Sequence, residues 1–185
     1  MKATVFYEDA PGVAVTNFGP HLLALACVAD RMGVDRYTLR AYTEGIPMKG
    51  DSKLRAILKG IGGRTTIAVF DSDHVRDLYD LPHAATAAEV INAIKTEAGP
   101  EVDVVLLERN VEDLIRHCCV ALRVDAPSRK PTPEERDRVL HRAAAALVNV
   151  REDLLRRCPS FGLLVASLHR AVEVIRAAEA LSAKR

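Results

Sequence analysis

Tryptophan is absent and only 4% of the residues are aromatic. A platform on which successive bases of a single strand could stack therefore has little to be built from. An excess of one charge is missing too, since 26 Lys and Arg against 25 Asp and Glu leave a formal +1. That excludes a global pull toward nucleic acid or an anionic membrane, and any such binding needs a local patch. No stretch offers the ~18 apolar residues of a membrane span. The amino terminus, Met1-Lys2-Ala3-Thr4-Val5-Phe6-Tyr7, enters a strand-like pattern without the apolar region or cleavage site of a secretory signal. Cys27, Cys118, Cys119 and Cys158 contain no Cys-x-x-Cys pair. Adjacent Cys118 and Cys119 are a poor disulfide framework, so reduced, mostly buried thiols in a cytoplasmic protein are expected. The six histidines do not pair with the cysteines at zinc-ligand spacing.

What is present is ordinary globular material, 49% hydrophobic and 28% charged over 185 residues. This is enough chain for one sizeable domain with an appendage. The most informative stretch is Thr65-Thr66-Ile67-Ala68-Val69-Phe70-Asp71-Ser72-Asp73. A continuous apolar, β-branched run of this length suits a strand buried on both faces of a parallel sheet. Gly62-Gly63 ahead of it and Asp-Ser-Asp behind it mark its ends.

Around that strand the chain alternates. Residues 2–8 read as a first strand, and an apolar helix over about 20–32 is closed by Gly33. Tyr37, Leu39 and Ala41 alternate with Arg36, Thr38 and Arg40, which predicts a half-exposed edge strand. The turn-rich segment Gly45-Ile46-Pro47-Met48-Lys49-Gly50-Asp51-Ser52 follows. Leu54, Ile57, Leu58 and Ile61 then recur at helical spacing. After Asp73 a short polar segment containing Pro82 leads to the capping box Thr86-Ala87-Ala88-Glu89 and a helix that buries Val90, Ile91 and Ile94. Val102 to Leu107 is another strand, ended by Glu108, and Asn110-Val111-Glu112-Asp113 opens a helix carrying Leu114, Ile115 and Cys118.

This β-α tempo predicts an α/β fold, a mostly parallel sheet of four or slightly more strands with helices on its faces. A Pro/Ser/basic linker from Pro127 to Pro131 separates residues 1–126 from a helical extension over 127–185, expected to pack on the sheet domain. Thr132-Pro133-Glu134-Glu135 is a strong helix start. Two long helices, broken near Cys158-Pro159-Ser160, are expected after it. The arginines of this tail interleave with acids, the pattern of a solvated face.

Three strands end in acids: Glu8, the pair Asp71 and Asp73, and Glu108. Parallel strands share one carboxyl edge, where open α/β sheets bind ligands. Carboxylates this close repel unless a cation or proton lies between them. Magnesium takes oxygen ligands and keeps several waters, so two or three protein carboxylates suffice.

A first strand ending in glutamate and a later apolar strand ending in Asp-x-Asp resembles the Toprim domain of topoisomerases, bacterial primases and overcoming-lysogenisation-defect nucleases. The resemblance covers roughly residues 2–125. It implies that Glu8 is a general acid/base, and that Asp71 and Asp73 hold Mg2+ or Mn2+. Arg109-Asn110-Val111-Glu112-Asp113-Leu114-Ile115 is similar to the nuclease-branch helix that supplies a further acid, which makes Glu112 an additional metal ligand. Lys49 resembles a basic residue that some members place near the phosphate, and Arg109 is a second candidate for that role. Cys158-Pro159-Ser160-Phe161 is similar to a recurrent tail of small bacterial Toprim-like proteins. The implied activity is metal-dependent cleavage or phosphotransfer on DNA or RNA.

Two other readings stand beside it. The family has glycine directly after the glutamate, where this chain has Asp9. A non-catalytic Toprim-like protein, acting as a binding or regulatory partner in a bacterial defence or toxin-like system, fits that departure. Phe70-Asp71-Ser72-Asp73-His74-Val75 also fits, locally, the haloacid-dehalogenase signature, in which Asp71 would be a nucleophile and Asp73 a general acid. That signature normally lies on the first strand. A homodimer formed by sheet extension along the Arg36/Arg40 edge is a further expectation.

Overall fold

A computed structural model describes residues 1–7, 19–48, 59, 65–107 and 111–183. Among these, four strands form one all-parallel sheet in the order β2-β1-β3-β4. They are β1 (Ala3–Tyr7), β2 (Thr43–Pro47), β3 (Thr66–Asp71) and β4 (Asp103–Leu107). The α/β class and the parallel sheet read from the sequence are therefore those of the molecule.

The sheet is covered on both faces, and strand alternation assigns each residue to one of them. Val5, Tyr7, Ile67, Val69, Val105 and Leu107 point into one apolar cluster. Ala68, Phe70 and Leu106 point into a second, with Phe6 and Val104 packed at its margin. Helix α1 (Gly19–Met32) packs on the first face, and α3 (Ser72–Leu78) and α4 (Ala87–Ala98) on the second. This follows from the strand order. The chain moves from β1 to one neighbour and later from β3 to the other, and right-handed crossovers in opposite directions place their helices on opposite faces.

Several helix ends are those the sequence signals. Gly33, at φ +62°, follows α1 in the left-handed region where glycine is not strained. Thr86 and Glu89 form the capping box of α4, the Thr86 amide donating to Glu89 Oε2 at 2.7 Å. Thr132 and Glu135 do the same for α6 (Pro133–Ala145) at 2.8 Å.

Three local expectations are corrected. Arg36–Arg40 is a short helix, α2, capped by Asp35, whose carboxylate accepts from the Tyr37 amide at 2.7 Å. Over five residues with one buried side chain, Leu39, alternation and helical spacing are indistinguishable, and the cap decides. An edge strand lies instead at Thr43–Pro47, running into the first three residues of the stretch that reads as a turn. Second, the polar segment around and after Asp73 begins with α3, whose described buried apolar residues are Val75 and Leu78, too short a pattern to stand out. Third, the carboxyl-terminal extension holds three helices rather than two: α6, α7 (Leu147–Arg157) and α8 (Pro159–Ser182). The additional break, at Ala146, has no glycine or proline to announce it. Leu140, Ala143, Leu147, Val150 and Leu154 continue one buried series straight across it. The helix predicted over residues 54–61 lies, apart from Lys59, outside the described residues.

The three late helices share the first apolar cluster with α1, β1 and α5 (Val111–Leu122). Ion pairs reinforce the packing: Arg151 of α7 with Asp30 of α1, and Arg170 of α8 with Asp103 of β4 at 2.8 Å. No single helix among the described residues is long and apolar enough to cross a membrane. Among the described residues the sharply bent α7–α8 pair reaches that composition, and much of its apolar surface, from Leu147 to Ile175, lies in the core, while Val148, Leu163, Val174 and Leu181 are exposed.

Candidate functional site

Strand order marks a candidate position for a site that a strand list alone does not. It reverses between β1 and β3, and in open parallel sheets the crevice at such a switch point, outside the carboxyl ends of the strands, is where ligands bind. Asp71 ends β3 there, half-buried and paired in register with Leu107, the last residue of β4. Tyr7, the last residue of β1, is in register with Val69, two positions before Asp71. Glu8 follows Tyr7 in the chain and lies outside the described residues, as do Lys49, Glu108 and Arg109.

Asp71 is also the residue from which α3 departs, in extended conformation at φ −75° and ψ 124°. Asp73 is thus a helical residue, one strand-to-helix transition away from Asp71, and its side chain lies outside the description. Helix α3 is tied down behind them. Arg76 donates from Nη1 to the Ser72 carbonyl at 2.9 Å and from Nε to the Ala85 carbonyl at 3.3 Å. The Tyr79 hydroxyl donates to Glu97 of α4 at 3.1 Å. The backbone leaving the strand at Asp71 is therefore held by side-chain bonds at both ends of α3.

Glu112 stands in the first turn of α5, which follows β4 on the same edge of the sheet. Its carboxylate is mostly covered and lies 3.4 Å from Lys130 Nζ. Lys130 belongs to the 127–131 linker, which folds back against α5 around a cleft of about 200 Å³ lined by Ile115, Arg116 and Arg129 among others. Since Lys130 is largely exposed, the pair is worth little on its own. Among the described residues no three His, Cys, Asp or Glu side chains form a metal-ligand set. Of the five acids singled out from the sequence, Glu8, Asp71, Asp73, Glu108 and Glu112, only Asp71 and Glu112 have described side chains.

One residue near this edge has no sequence signal beyond being a polar interruption in an apolar helix. His21, in the first turn of α1, is buried, and among the described residues its Nε2 has no hydrogen-bond partner. It packs beside β2 where that strand carries Gly45. A Cβ at Gly45 would lie 3.2 Å from His21 Nδ1 and 3.1 Å from Tyr7 Cε1, so the close approach depends on glycine. Burial first, and then the positive charge of Arg40, lower the His21 pKa to about 4, leaving a neutral imidazole at physiological pH.

The four cysteines are all free and buried, and fall in the first apolar cluster. Burial pushes Cys27 up to about 11 and Cys118 to about 12, the neighbouring thiols adding to the latter, so neither is a nucleophile. No family model, curated protein or solved structure matches the chain.

Proposed function

We propose that this protein is a Toprim-like, divalent-metal-dependent enzyme that cleaves or transfers phosphodiesters of nucleic acid at the carboxyl edge of its sheet. The observation that carries the reading is the position of Asp71, at the end of an apolar strand flanking the point where strand order reverses. The donors available in the chain at this edge, Asp71, Asp73 and Glu112, are hard oxygen ligands of the kind Mg2+ and Mn2+ take. Such an ion would supply positive charge for a phosphoryl oxygen and its developing negative charge. Glu8 is the group to hold or release the proton, and Lys49 to meet the phosphate. Both assignments rest on the Toprim resemblance.

The test is cleavage of labelled DNA and RNA, single- and double-stranded, with and without Mg2+ or Mn2+, for the wild type, Asp71→Asn and Glu8→Gln. The expected result is metal-dependent cleavage, reduced at least a hundredfold in each variant. Cleavage that survives both substitutions would overturn the reading. A parallel thermal melt should show a metal-induced rise in Tm that Asp71→Asn abolishes, because an ion bound only to the native state stabilises it by mass action. Asp9, standing where the family has glycine, supports a second reading, a binding protein that keeps the metal site without the chemistry. Its signature is the metal-dependent Tm rise with no cleavage of any substrate.

A further inference from the structure

The near-neutral total charge conceals an uneven distribution. Residues 127–185 carry twelve Lys and Arg against seven Asp and Glu, while residues 1–126 carry fourteen against eighteen. An acidic sheet region is thus joined to a basic helical extension, an asymmetry that suits a polyanion met on one side. In the sequence the basic residues of the extension interleave with acids, but the fold sorts them.

Glu135 is engaged by Arg129 and by the cap of α6, Asp153 by Arg156 and Arg157, and Arg151 by Asp30. From Arg138 to Arg151 the chain contains no acid. Arg138, His141 and Arg142 lie in that run on the exposed side of α6, opposite the buried Leu140 and Ala143. Glu134 stands one turn before Arg138, yet neither Arg138 nor Arg142 has a carboxylate within ion-pair distance among the described residues. His141 lines a cleft of about 180 Å³ together with Arg36 of α2, and no acid stands among the described lining residues. Asp35, next to Arg36, caps α2 through the Tyr37 amide. Arg36 donates to the Tyr37 hydroxyl at 3.3 Å, which leaves it further donors. Arg40 lines the cleft too but is already engaged, so the free cations of this surface are Arg36, Arg138 and Arg142. Single arginines without a described carboxylate partner also occur at Arg31, Arg123 and Arg176. What marks this surface is three of them on two helices that border one acid-free cleft. The cleft beside α5 is the opposite case, its Arg116, Arg129 and Lys130 each meeting a carboxylate.

We propose that the exposed side of α6, with Arg36 across the cleft, docks the phosphate backbone of a double-stranded nucleic acid. This rests on the nucleic-acid reading above and names the form of its substrate, but uses none of the residues at the acidic edge. Guanidinium groups grip phosphate oxygens bidentately, and Arg138 and Arg142 are spaced about 6 Å along the helix axis. A single strand is held by stacking its bases on aromatic rings. The exposed ring described here is Tyr37, and it already lies against the Arg36 guanidinium, 5.1 Å from the ring centre.

Fluorescence anisotropy of a short labelled DNA or RNA duplex, in chelator and without divalent metal, tests it. Binding should be independent of base sequence, with a Kd of roughly 1–100 μM near physiological salt. For three phosphate contacts, log K should fall with log salt at a slope of about −2.7. Arg36→Ala, Arg138→Ala and Arg142→Ala should each reduce that slope by about 0.9 and weaken binding about eightfold at roughly 0.1 M salt. Arg176→Ala, an exposed arginine on α8, should bind as the wild type does. The substituted arginines are all exposed and alanine favours helix, so the variants should fold, which circular dichroism will verify. The proposal is overturned if no duplex binds at roughly 100 μM in low salt, the weak limit of non-specific binding. It is overturned equally if folded Arg138→Ala and Arg142→Ala keep the wild-type slope, or if Arg176→Ala loses as much. A single strand or polyglutamate that binds as tightly as the duplex also overturns it. Because no metal is present, docking without cleavage in the assay above would count against the catalytic reading alone, and cleavage without docking against this proposal alone.

Discussion

His21 is a basic group whose native pKa, about 4, lies below the ordinary 6.5. Between these values the unfolded chain binds a proton that the native protein does not, so acid favours unfolding. The stability linked to this group is fully present above about pH 6.5 and is lost progressively as the pH falls toward 4. A displacement of this size corresponds to on the order of 3 kcal/mol. Urea unfolding at pH 7.0 and pH 4.5 should therefore show a loss that His21→Leu diminishes by roughly 2–3 kcal/mol. Equal pH dependence in the two proteins would mean that His21 binds its proton as readily in the native state as in the unfolded chain. At the same scale, Asp71 and Glu112 differ in what holds them. Asp71 is placed by a strand end and a pinned helix, while Glu112 is engaged with an exposed lysine.

Helix starts are where this sequence speaks most clearly. The reciprocal bonds of Thr86 with Glu89 and of Thr132 with Glu135 satisfy amides that the first helical turn leaves without partners. The same bonds, led by that to the threonine amide, hold both carboxyls below the usual carboxylate range. Thr86→Ala and Thr132→Ala should each lower stability by about 1 kcal/mol. The Thr132 effect should appear in the global denaturation midpoint, because α6 packs into the common core through Leu140 and Ala143. Short elements, and breaks inside a continuous apolar series, are not legible in the same way. The α2 segment alternates like a strand yet is turned into a helix by Asp35, and the break at Ala146 lies inside an unbroken apolar series. In both, side-chain packing and one cap outweigh local pattern, because five residues or one turn carry too few buried positions to specify a period.

At the scale of the molecule, the late helices and the sheet share one interior. Phe161, Leu164, Val165, Leu168, Val172 and Ile175 of α8 are fully buried beside Val5, Val69 and Val105. Burial of such side chains is worth about 1.5–3 kcal/mol each, together comparable with the net stability of a whole domain. The cysteines report on this shared core, with Cys27 on α1, Cys118 and Cys119 on α5 and Cys158 between α7 and α8. Relative to the ordinary thiol value of 9.0, burial suppresses thiolate roughly a hundredfold at Cys27 and a thousandfold at Cys118. Native protein treated with a chromogenic disulfide reagent at pH 8 should react slowly, with all four thiols released together in denaturant. Earlier release of Cys158 alone would show that the carboxyl-terminal helices open independently of the sheet.

The order of apolar and polar residues by itself determined the α/β class, the doubly buried strand ending at Asp71, the capped starts of α4 and α6 and the extent of α1. Each depends on chemistry local to a few residues: a continuous β-branched run, a Thr-x-x-Glu pair, a glycine after a helix. Only the tertiary structure decided that β1 lies between β2 and β3, which sets the strand reversal beside Asp71. It also decided that Arg36, Arg40 and His141 meet in one cleft and that His21 is buried against Gly45. These are contacts between segments far apart in the chain, and they are selected by how whole faces bury against one another, which no local window of sequence records.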